Sequence, residues 1–105
     1  MTDGLVVYAD GQVRLNAIDL DRADVVLALL HANAATTLDL PDLATRLVVN
    51  GTGLGDERPL NLAATLLVYG TGRRPTHPIA GDVLVLGLTP DGDPTDVRDD
   101  LLSLF

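Results

Sequence analysis

The chain has no cysteine, no tryptophan and no lysine among its 105 residues. The first absence excludes a disulfide framework, a thiolate metal centre and a cysteine nucleophile, so the interior has to hold by packing alone. Aromatics are nearly missing as well: Tyr8, Tyr69 and Phe105 are all there are, which leaves Leu, Val and Ala to fill the core. Every base is therefore arginine, and fourteen of the fifteen acids are aspartate. Arg over Lys is the usage of a GC-rich coding sequence. The surplus of short carboxylates also suits a surface that imitates a phosphate backbone. No stretch approaches 18 apolar residues, so none reads as a membrane-spanning helix. "MTDGLVVYADG" has no basic segment ahead of its short apolar run, which reads as no secretory signal and a cytoplasmic protein.

What is present fits one domain, 1–105. A formal charge of −8 argues against direct binding to nucleic acid, which needs a basic footprint, and against docking on anionic membranes. Hydrophobic residues make up 47%, enough to build a core.

Local signals give the order β-β-α-β-β-α-β-α. Residues 5–8 and 12–17 flank Asp10-Gly11, a hairpin turn pair, and the second segment alternates Val13, Leu15 and Ala17 with polar neighbours. Residues 19–34 read as a helix capped by Asp19 or Asp21, with an apolar stripe of Ala23, Val26, Leu27, Leu30 and Ala34, widened by Leu20, Val25 and Leu29, and a stop at Asn33. His31 near its end suits the helix dipole better than a ligand role. "TTLDL" and "TRLVVN" read as strands joined by "PDLA". A second helix begins at the cap Asn61, presents Leu62, Thr65, Leu66 and Tyr69 as one face, and ends at Gly70 in a positive-φ conformation. "IAGDVLVLGL" has no alternation, which predicts a central strand covered on both faces, with Val83, Val85 and Leu86 buried. The closing segment is a short helix capped by Thr95 or Asp96, with Val97, Leu101, Leu102 and Phe105 inward. Together these predict a small α+β domain, its sheet mixed or mostly antiparallel, with two main helices and a short C-terminal one.

The motif search returns no catalytic set. Ser103 is the lone serine, and the two histidines, His31 and His77, stand far apart without metal-ligand spacing. "NGTGLGDERP" lacks the Lys-Ser/Thr of a phosphate loop and reads as a flexible connection. Asp91, Asp93 and Asp96 lack the Gly and Glu of a calcium loop and read as a solvated turn. No metal, cofactor or enzymatic activity is expected.

Residues 47–87 carry a set of motifs: Val49-Asn50 before the glycine-rich loop, a helix with Asn61, Ala64-Thr65 and Leu67, and a strand with Ile79, Gly81–Val85 and Gly87. With the acidic "DGDPTDV" tail they resemble a family of small proteins of unknown function in actinobacteria and their phages and plasmids. The resemblance implies a mobile-element accessory protein, with no activity attached.

Two functions follow. The first is a non-enzymatic module that contacts a protein, host or self, with DNA mimicry as a variant; a continuous stripe of carboxylates favours mimicry and an even scatter favours plain solubility. The second uses "GTGRRPTHP": Arg73 and Arg74 clamp a phosphate, carboxylate or nucleotide, with His77 beside them. In the absence of a ligand, Arg73 and Arg74 are expected to meet acids, at Asp82, in 91–100 or in a second copy of a homodimer.

Overall fold

In the computed structural model, residues 1–32, 34–51, 59–72 and 79–103 are described. The elements follow the predicted order with two short additions. They are β1 (Thr2–Val7), β2 (Val13–Ile18), α1 (Ala23–Leu30), β3 (Ala35–Leu40), a 3-10 turn (Pro41–Leu43), β4 (Thr45–Asn50), α2 (Leu62–Gly70), β5 (Val83–Leu88), β6 (Pro94–Thr95) and α3 (Asp99–Leu102). The sheet runs β2-β1-β5-β4-β3, with β6 on β5, and every pairing is antiparallel. This is the α+β architecture expected from the local signals.

The hairpin forms where Asp10-Gly11 placed it. Gly11 takes φ 93°, Tyr8 and Gln12 close the loop, and the Asp10 carboxylate accepts from the Gln12 N–H. β5 sits at the centre of the sheet, and both its faces are covered. Leu5, Val7, Leu47, Val83 and Val85 pack under α2 and α3, and Val6, Val48, Leu84 and Leu86 pack under α1. The run without alternation is thus explained by burial on both sides, although the strand pairs antiparallel.

The helices depart from the sequence reading in the capping of α1 and α3 and in the face of α2, while the stripe of α1 packs as predicted at Leu20, Val25, Val26, Leu29 and Leu30. α1 is shorter than 19–34 and starts from Arg22, which supplies no side-chain cap. Asp19 spends its carboxylate on the Asp21 N–H and so cannot reach the helix. Its buried side is Leu30, with Val25, Val26 and Leu29 partly covered, while Ala23 is exposed. His31 follows in the left-handed conformation, φ 51°.

In α2 the predicted cap is right: Asn61 accepts from the Ala64 N–H. The predicted face is not. Ala64, Thr65 and Val68 are buried, whereas Leu62 and Leu66 stand 66% and 67% exposed and Tyr69 is exposed too. Asn61 fixes the rotation, because its Nδ2 donates to the carbonyls of Val7 and Gly81 beneath the helix. Gly70 is the last helical residue, and the positive φ falls on Gly72, at 82°. α3 opens at Arg98, not at Thr95 or Asp96. Thr95 is taken into β6, and the Asp96 carboxylate accepts from the Asp3 N–H. Val97 and Leu101 are buried as predicted, while Phe105 lies outside the described residues.

Candidate functional site

Arg73, Arg74 and His77 lie outside the described residues, as does most of the glycine-rich connection at 52–58. The stems of the 73–78 segment are described, and they are held tightly. Asn61 donates its backbone N–H to Ile79, the Thr65 hydroxyl accepts from the Ile79 N–H, and Leu60 bridges Ala80. Asn61 and Thr65 are buried polar groups whose bonds lie within this junction, apart from the one Asn61 Nδ2 donates to the Val7 carbonyl of β1. Nearby, the Asp82 carboxylate accepts from the Ala9 N–H and stands 3.4 Å from His31 Nδ1. His31 is largely exposed.

The described residues show a second feature that no local signal announces. The strand register places Thr2, Ile18, Leu40, Thr45 and Leu88 at one end of the sheet. Five chain segments meet there, and each is acidic. Asp19, Asp21 and Asp24 lie between β2 and the first turn of α1. Asp39 and Asp42 bracket the end of β3. Asp91 and Asp93 form the β5–β6 turn. Asp96, Asp99 and Asp100 lead into α3, against Asp3 of β1. Eleven of the thirteen described acids are therefore gathered at one end, and only Asp10 and Asp82 lie at the other.

The described arginines at this end do not cancel the charge of the described acids. Arg22, Arg46 and Arg98 are each taken by one acid there: Arg22 by Asp24 at 2.8 Å, Arg46 by Asp39 at 2.7 Å and Arg98 by Asp100 at 2.6 Å. The Arg22 guanidinium holds the Asp24 carboxyl below its ordinary range, and the bond to Asp39 holds Arg46 above its own. Asp3, Asp19, Asp21, Asp42, Asp91, Asp93, Asp96 and Asp99 remain as surplus negative charge. All but Asp19 of these eight are exposed.

Among the described residues, no group of three His, Cys, Asp or Glu is placed to hold a metal ion. Asp91, Asp93 and Asp96 do not converge into a ligand set. Asp93 instead closes its turn, with its N–H on the Thr89 hydroxyl and its carbonyl on the Thr89 N–H. No described helix is long and apolar enough to cross a membrane. No family model, curated protein or solved structure matches the chain.

Sequence reasoning missed the acidic end because it depends on strand order. The available signal was spacing: acids occur at 19–24, 39–42 and 91–100, the junctions that an up-and-down antiparallel path brings to the same side.

Proposed function

We propose that the protein is a small, non-enzymatic accessory protein that works in the cytoplasm by contact with another protein, presenting its acidic end to a basic surface. The observation that carries this reading is the segregation of charge: eleven described carboxylates at one end of a small sheet, in five converging segments. Charge added only for solubility has no reason to collect at one end. A low-dielectric body with one acidic pole steers cationic partners and repels nucleic acid and anionic lipid. A basic cleft that normally holds phosphates is a fitting target, so inhibition by DNA mimicry is the specific form of the proposal.

The test is affinity capture from host lysate with wild type, with Asp19→Asn/Asp21→Asn/Asp93→Asn/Asp99→Asn, and with Asp10→Asn as a control at the opposite end. The expected outcome is a captured protein that the fourfold variant loses, that Asp10→Asn keeps, and that duplex DNA displaces. Equal capture by all three proteins refutes the role of the acidic end.

A further inference from the structure

On the α1 side of the sheet the central residues Leu84 and Leu86 are buried, but cover thins towards β3, where Ala35 and Thr37 are exposed. α1 has 8 residues, about 12 Å of helix, and it connects β2 to β3, the two edge strands. Five strands at about 4.8 Å spacing span roughly 19 Å, so one short helix leaves part of this face open. The opening is a trough of 330 Å³ between α1 and the β3–β4 side of the sheet. Its walls are apolar: Leu20, Val26 and Leu27 on one side, Val48 and Leu86 on the floor, and the methyl-bearing Thr37 on β3.

Its rim belongs to the acidic end. Asp19 and Asp21 line a neighbouring hollow that shares Leu20 and Pro94 with the trough, and Asp93 precedes Pro94 in the chain. Among the described lining residues Arg46 is the one cation, and it makes two bonds to Asp39, at 2.7 and 3.0 Å, and one to the Gly92 carbonyl. An anionic ligand would meet this rim unfavourably, and a neutral one would make no use of it. A segment with aliphatic side chains on one face and cationic side chains beside them satisfies both the walls and the rim.

We propose that this trough is the docking site for a basic amphipathic helix of a protein partner. Leucine-like side chains at i, i+3 and i+4 fill the apolar floor, and flanking Lys or Arg meet the rim acids. The proposal rests on the reading that the acidic end meets a basic partner. It adds that recognition is not by charge alone: the apolar trough gives register, and the acids give attraction and speed of encounter.

The experiment is fluorescence anisotropy on the full chain with two labelled synthetic peptides of identical Leu/Lys composition. One carries its leucines on a single helical face, and the other has them scrambled. The patterned peptide is expected to bind at least tenfold more tightly. Thr37→Trp, at an exposed position on the trough wall, is expected to abolish that preference. Thr36→Trp, on the opposite face of the same strand, is expected to leave it intact, with circular dichroism verifying the fold of both variants. Equal binding of the two peptides, or a preference that survives Thr37→Trp, overturns the trough but leaves the acidic end as a purely electrostatic contact. Failure of both cationic peptides to bind at low salt overturns the trough and the wider reading together.

Discussion

Replacing Asn61 by alanine should destabilise this protein more than any surface change, although it removes only one small polar side chain. Asn61 is fully buried. Its Oδ1 accepts from the Ala64 N–H at 3.1 Å, and its Nδ2 donates to the Val7 and Gly81 carbonyls, both at 2.9 Å. Loss of the cap costs about 1 kcal/mol. Each of the two carbonyls then loses a donor where water does not reach, at about 1–2 kcal/mol apiece. The sum is roughly 3–5 kcal/mol, against about 5–15 kcal/mol for the whole stability of a typical domain. Urea unfolding followed by circular dichroism measures this as a fall in midpoint at unchanged slope. Asn61→Asp separates the parts. It keeps the cap oxygen but turns the amide donor into a carboxylate facing two carbonyls, which raises its pKa in the folded state. A raised carboxyl pKa disfavours folding above the ordinary carboxylate range, so this variant should gain stability relative to wild type as the pH falls. A midpoint for Asn61→Ala within 1 kcal/mol of wild type would refute the assignment of Asn61 as the joint between α2 and the sheet.

Val85→Asp buries an unpaired charge in the central strand and should cost on the order of 3 kcal/mol or more, seen as a lowered melting temperature. Gly87→Ala drives a methyl group into the Asp96 carbonyl and to 2.8 Å from Thr95 Cγ2, and should destabilise the domain by about 1–3 kcal/mol in the same assay. His31→Gly relieves a left-handed histidine after α1 and should raise the melting temperature slightly, by about 0.5–1 kcal/mol of stability; a fall would show that the contact with Asp82 outweighs the backbone strain. Micromolar calcium or zinc should leave the melting temperature unchanged, and a shift of more than a few degrees would revive the aspartates of the β5–β6 turn.

The parts of this fold that could be read from the sequence are those decided locally. Asp10-Gly11 needed only a positive φ, Asn61 only a helix start, and the apolar run 83–88 only burial on both faces. The face of α2 was not legible because "LAATLLVY" is apolar almost all round, so its periodicity has no polar phase to mark the outside. A tertiary contact, Asn61 to Val7 and Gly81, sets the rotation instead. The caps of α1 and α3 failed for a related reason. Asp19 and Asp96 are good capping residues, but each was engaged first, by Asp21 and by Asp3. The acidic end follows from strand order, and the trough follows from the shortness of α1 against the width of the sheet. Neither quantity is written in any one window of sequence.

The placement of β1 beside β5 has a consequence for how the chain reaches this state. The two strands pair Leu5 with Val85 and Val7 with Val83, so the middle of the sheet joins residues about 80 positions apart. Until β5 is available, β1 and β2 form a hairpin, which is marginal in water, with only α1 to pack on one face, and Val7 on the other face has no core to enter. On a ribosome adding about 5–20 residues per second, that wait lasts roughly 4–16 s. Pairings this far apart in sequence raise the contact order and slow folding for a chain of this size. During that interval the nascent hairpin carries an unpaired, strongly apolar edge, flanked by Asp3 and Asp10, and charges at strand ends are a means by which exposed edges are kept from pairing with other chains.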